Sequence, residues 1–157
     1  MGLEGGGRSG LASAARWLWL AAVIVLAASA PAHEAPTVEQ LKARIATAQA
    51  ADRVRICVEI AQKQMNEVDR LYAANDFGKA QAALNDVVAY AGLARDYAIQ
   101  SRKHQKQTEI AARAMARRLD AILHTLARED QPPVKDALDQ MEHVRDDLLA
   151  AMFKKGA

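Results

Sequence analysis

The 157-residue chain has little of what stabilises small folds covalently or forms β-sheets. Its single cysteine, Cys57, excludes a disulfide within the chain. Aromatic residues make up 4% of the sequence, and no run of β-branched residues alternates with polar ones, so strands are not indicated. No proline occurs between Pro36 and Pro132, which leaves most of the chain free to form helices.

What the chain has in abundance is Ala, Leu, Gln, Glu, Lys and Arg, which are strong helix formers. The formal net charge is only +2, so the balance of charge indicates no polyanionic partner for the whole molecule. The composition predicts an all-α fold. We expect an elongated antiparallel helical bundle around one long central helix.

The first 32 residues have the order of a secretory signal peptide. A Gly-rich stretch with two arginines is followed by the apolar run 17–28, and small residues at Ala30 and Ala32 place the cut before His33. The alternative is an uncleaved anchor, but the run is about a dozen residues and a spanning helix needs roughly 20. We therefore expect export to a periplasm or the extracellular space, with no membrane span after cleavage.

Residues 33–50 are predicted to form an N-terminal segment with one short helix. Thr37 is a suitable N-cap for it. The apolar stripe of this helix is about one residue out of phase with the next, which favours a break near 48–52 with Asp52 as a new N-cap. A continuous helix is the alternative.

Residues 51–153 are predicted to form the bundle, with helices at about 52–74, 77–128 and 133–153. Asn75 and Asp76 mark a tight turn, because Asn tolerates the left-handed conformation and Asp caps the next helix. Pro132 and Pro133 suit the first turn of the last helix.

One apolar stripe supports the long central helix, because its steps of four and three keep phase over about fifty residues. It passes through the polar interval 101–108, where a break is the alternative. The stripe comprises Phe77, Ala80, Leu84, Val87, Ala91, Ala94, Ala98, Ala112, Met115, Leu119, Ile122 and Leu126.

The residues around the turn at Asn75 resemble the second half of a tetratricopeptide (TPR) repeat. In that family an aromatic follows the turn, a small residue comes three later, and apolar residues follow at four and three. The matching positions are Leu71, Phe77, Ala80, Leu84 and Val87. The first half departs from the family pattern, since Gln64 stands where an aromatic is usual and Val68 where a small residue is usual. The resemblance implies one TPR-like hairpin and a peptide-binding role.

The sequence offers no residue for catalysis, for a cofactor or for a metal. No two of its four histidines have the three- or four-residue spacing of a helical metal pair. No nucleophile turn or Gly-rich phosphate loop is present, so an enzyme is not indicated. Cys57 lies beside an apolar stripe, which favours a buried thiol over an intermolecular disulfide.

The stretch 95–118 is the most basic part of the chain, with seven basic residues against two acidic ones, a net of +5. It could bind an anion, and the candidate residues are Arg102, Lys103, Lys106, Arg113 and Arg117. The alternative is compensation by the acidic stretch 120–147, which has eight acidic residues against three basic ones. Aromatics for base stacking are missing from the basic stretch, so nucleic acid is not expected.

The whole mature chain is similar to small exported helical proteins of uncharacterised function, a likeness that implies no activity. The most consistent hypothesis is a non-catalytic protein–protein interaction or chaperone-like module. A homodimer is a further expectation, since a long helix would leave its middle partly uncovered. The alternative function is an anion- or ligand-binding module that uses the basic stretch.

Overall fold

The computed structural model describes residues 35–154, so the predicted signal peptide lies outside the described residues. The described part contains helices and no strand, which confirms the all-α prediction. None of its helices is long and apolar enough to cross a membrane. The five helices are α1 Val38–Ile45, α2 Ala50–Ala73, α3 Phe77–Ser101, α4 Gln105–Leu123 and α5 Gln131–Phe153.

Helix α1 begins at the predicted cap. The Thr37 hydroxyl accepts from the Gln40 amide, and the Gln40 side chain accepts from the Thr37 amide in return. The predicted break before α2 is confirmed, but α2 begins at Ala50 after Gln49 rather than at Asp52. Leu41 is fully buried against the outer side of α2, so the short helix covers the hairpin formed by α2 and α3.

The turn between α2 and α3 forms as the sequence predicts. Asn75 has a φ of 57°, and the Asp76 carboxylate accepts from the Lys79 amide at 3.3 Å. The two helices therefore lie antiparallel over most of their length. No observation bears on the TPR resemblance, which stays a prediction.

The prediction of one continuous helix over 77–128 is wrong. Helix α3 ends at Ser101, and Arg102 and His104 both adopt the left-handed conformation before α4 begins. The Ser101 hydroxyl donates to the Tyr97 carbonyl at 2.6 Å and accepts from the Lys103 amide at 3.3 Å, which replaces helical hydrogen bonds at the end of α3. Because the interval 101–108 is polar, reversing the chain there costs little apolar burial.

The reversal places the hairpin α4–α5 beside the hairpin α2–α3 instead of end to end with it. Helix α4 runs parallel to α2, where Arg118 contacts Asp69, and α5 runs parallel to α3, where Arg95 contacts Asp147. Met65, Leu84 and Met141 are among the side chains that fill the shared core. The bundle is thus built from two hairpins, and the uncovered rod that motivated the homodimer is not formed in the described residues.

The connection between α4 and α5 is longer than predicted. Helix α4 ends at Leu123 rather than 128, where Thr125 donates its hydroxyl proton to the Ile122 carbonyl at 2.7 Å. Helix α5 begins at Gln131 with the two prolines in its first positions, close to the predicted start.

Candidate functional site

The structure divides the five predicted anion-binding residues between two places. Lys106, Arg113 and Arg117 are exposed at spacings of seven and four on α4, so they share the outward face of that helix. Ile110 lies on the same face and is 50% exposed. Arg102 and Lys103 are exposed in the connection before α4. Three of the five residues therefore share one helix face, and the other two precede that helix.

Several cations of the basic stretch are neutralised within the molecule. Arg113 makes two hydrogen bonds to Glu109, at 3.0 and 2.6 Å, and the Glu109 carboxylate is 5% exposed. Arg118 bonds to Asp69 on α2. Among the described residues no ion pair joins α4 to the acidic helix α5. The predicted compensation by α5 holds for Arg95, while α4 finds its partners elsewhere.

A groove runs between the parallel helices α3 and α5. One cavity of about 530 Å³ adjoins another of about 280 Å³, and both are lined by Val88, Ala89 and Gln140. The lining extends along α3 from Gln81 to Asp96, a span of about 22 Å at 1.5 Å per residue. This length matches about four helical turns of a bound segment.

Buried apolar residues, among them Leu84, Ala137 and Val144, form the floor of the groove. Leu93 lines the larger of the two cavities and is 40% exposed. Gly92 stands beside it, and a Cβ atom built there would have no heavy atom within 4 Å. The missing side chain therefore leaves open space directly above the floor.

The rim of the groove carries more acid than base. Asp96, Asp136 and Asp139 line it, and among the described residues that line it Arg95 is the single Lys or Arg. Arg95 is itself paired with Asp96 at 2.8 Å and with Asp147 at 3.0 Å. The remaining potential favours a cation.

No protein-family model, curated protein or solved structure matches this chain.

The described residues form no metal-binding group of three or more His, Cys, Asp or Glu side chains. Cys57 is fully buried, as predicted, and burial raises the pKa of its thiol to about 11. A protonated thiol without access to solvent is a poor nucleophile. Cys57 therefore contributes to packing in α2.

The groove was not predicted from the sequence, although one signal for it is present. Asn85, Ala89, Gly92 and Asp96 follow each other at steps of four, three and four, so they form a second stripe of short side chains on α3. The apolar stripe predicts only which side of α3 faces the core. Its small and polar neighbours show where the helix leaves room for another element.

Proposed function

We propose that this protein is a non-catalytic interaction module that binds a basic amphipathic helix of a partner protein in the α3–α5 groove. The observation that carries the proposal is the joined groove with the exposed Leu93 on its wall and three acidic residues at its rim. Apolar contact supplies affinity, and the charged rim selects the partner.

The shape of the groove favours a helical ligand. Two parallel helices form a straight channel, and an amphipathic helix places apolar anchors at steps of three and four into such a channel. Gly92 gives the ligand backbone close access to α3, as small residues do where helices approach each other. The resemblance of the turn region to a TPR repeat also favours a peptide-binding role.

The charge of the rim favours basic residues at the edge of the ligand. With Arg95 held by two carboxylates, Asp136 and Asp139 have no ion-pair partner among the described residues. A Lys or Arg on the ligand would pair with them at a solvent-exposed edge, where each pair contributes about 0–1 kcal/mol. These pairs would mainly set specificity and the rate of association.

The proposal is tested with two designed helical peptides that share a Leu face and differ only in carrying Lys or Glu beside it. Fluorescence anisotropy should show that the Lys peptide binds at least about tenfold more tightly than the Glu peptide. The difference should shrink as salt screens the rim. Equal binding of both peptides would contradict the proposed charge selection.

A pair of glycine variants locates the binding site. Gly92→Lys places a long cationic side chain over the floor, so it should weaken the Lys peptide by about tenfold or more. Gly78→Lys is the matched control, because Gly78 is also on α3 with nothing within 4 Å of a built Cβ and lies outside the groove lining. If both variants bind like the unchanged protein, the groove is not the docking site.

A further inference from the structure

A further cavity lies at the C-terminal end of α3, where the chain reverses. It has a volume of about 470 Å³, within the range of small-ligand sites, and it is separate from the lining of the groove. Three consecutive elements border it, namely the end of α3, the start of α4 and the end of α5. The lining residues are Ile99, Arg102, Gln105, Asp147, Ala150, Ala151 and Lys154.

The lining of this cavity combines apolar residues with hydrogen-bond donors. Ile99, Ala150 and Ala151 give it an apolar side, whereas Arg102, Gln105 and Lys154 supply hydrogen-bond donors. An apolar surface with a few convergent polar groups is the usual composition of a site for a small organic ligand.

The cations at this cavity are available because Asp147, the acidic residue in the described part of the lining, has another partner. Asp147 Oδ2 accepts from Arg95 Nη1 at 3.0 Å. Neither Arg102 nor Lys154 makes an ion pair with any residue in the described part of the chain. The lining therefore presents an excess of positive charge toward the cavity.

We infer that this cavity binds a small organic carboxylate, with the carboxylate between Arg102 and Lys154 and the apolar body against Ile99 and Ala150. The guanidinium of Arg102 can donate two parallel hydrogen bonds to a carboxylate. Lys154 adds a point charge from the end of α5. The site is independent of the partner helix proposed for the groove, and it differs from the basic face of α4 because Lys106, Arg113 and Arg117 do not line it.

The test uses three probes that separate the head of the ligand from its body. Octanoate has both a carboxylate and an alkyl chain, acetate has only the carboxylate, and octanol has only the chain. In amide NMR titrations of the ¹⁵N-labelled protein, octanoate should give saturable shifts concentrated at Ile99, Gln105 and Ala150. Acetate and octanol should each bind at least about tenfold more weakly.

Two charge-removing variants complete the test. Lys154→Gln and Arg102→Gln should each weaken octanoate by about tenfold, as expected when a charged hydrogen-bond donor is lost. Arg128→Gln is the matched control, because Arg128 is an exposed arginine in the connection between α4 and α5. Lys154 directly follows α5, so its variant cannot fail by unfolding the core.

The outcomes are decisive in either direction. Shifts confined to the cavity and lost in both variants would establish the site. Octanol binding as tightly as octanoate would show an apolar patch without anion recognition, and it would overturn the proposal. Unchanged octanoate affinity in Lys154→Gln and Arg102→Gln would overturn it as well.

Discussion

The guanidinium of Arg118 on α4 joins the carboxylate of Asp69 on α2 across the two parallel helices. Arg118 Nε lies 3.1 Å from Asp69 Oδ2, and the same guanidinium donates to Asn66 Oδ1 at 2.9 Å and to the Met65 carbonyl at 3.3 Å. This contact holds the second hairpin beside the first. It is available because the chain reverses after Ser101.

Arg118→Ala should lower the free energy of unfolding by about 1–2 kcal/mol. The acceptors on α2 are partly exposed, so water can replace some of the hydrogen bonds that the guanidinium donates to them. Urea unfolding followed by circular dichroism measures the change. Arg117→Ala is the control on the same helix, since Arg117 is exposed and its removal should stay within about 0.5 kcal/mol. Equal losses in the two variants would show that the interhelical contact adds nothing.

His104→Gly should stabilise the protein by about 0.5–1 kcal/mol. The φ of His104 is 59°, and a left-handed L-residue costs about 1–2 kcal/mol. Glycine removes that strain, but ordering its more flexible backbone on folding costs about 0.5–1 kcal/mol in chain entropy. In a continuous helix the same substitution would instead cost about 0.3 kcal/mol, because His is a weak helix former and Gly is weaker still.

The sign of the His104→Gly effect therefore distinguishes a broken helix from a continuous one. Ala114→Gly provides the reference, because Ala114 is exposed in the middle of α4 and should lose about 1 kcal/mol. Thermal unfolding of both variants supplies the comparison. A loss of stability in His104→Gly, even one smaller than that in Ala114→Gly, would contradict the break and support a continuous helix.

The sequence predicts the helices well and their arrangement only in part. Apolar periodicity identified the faces of α2, α3, α4 and α5, because burial of one face imposes that spacing wherever a helix packs. Periodicity could not show the break, since the stripe resumes in phase after the reversal. Glycine and proline, the usual signals of a helix end, are absent from Ser101 to His104, and two residues with ordinary side chains occupy the left-handed positions instead.

The candidate sites depend on this undetected reversal. Gly92 and Gln140 come together only when α5 lies parallel to α3, and Arg102 meets Lys154 only when the chain turns at the end of α3. Of the predicted basic residues, Lys106, Arg113 and Arg117 lie on an exposed face of α4, and Arg102 and Lys103 precede that helix. The pairing of Arg113 with Glu109 can be predicted from the sequence, because the two residues stand four apart on one helix.

Gly92→Ala should raise the free energy of unfolding by about 0.5–1 kcal/mol. Alanine is the better helix former, and a Cβ atom at this position meets nothing within 4 Å. Differential scanning calorimetry detects the gain as a higher Tm. A destabilised variant would mean that another part of the protein already occupies the groove above Gly92, and the docking proposal would then lose its open surface.

Ionisation of Cys57 should lower the stability of the protein at alkaline pH. Burial raises the pKa of the thiol from its ordinary value near 9.0 to about 11. Below pH 9 the thiol is protonated in both the folded and the unfolded state, so its contribution to stability is fully present. As the pH rises from 9 to 11 the unfolded chain ionises first, and stability falls by about 1–3 kcal/mol. Above the folded pKa the contribution is lost.

Comparison with Cys57→Val isolates this effect, because the variant keeps an apolar side chain of similar size and has no thiol to ionise. Urea unfolding at several pH values should show a steeper decline for the unchanged protein between pH 9 and 11. At pH 8 a thiol reagent should modify Cys57 only at the rate at which the native state opens, since the sulfur is fully buried. Parallel declines in the two proteins, together with rapid native labelling, would show that α2 exposes the thiol to solvent.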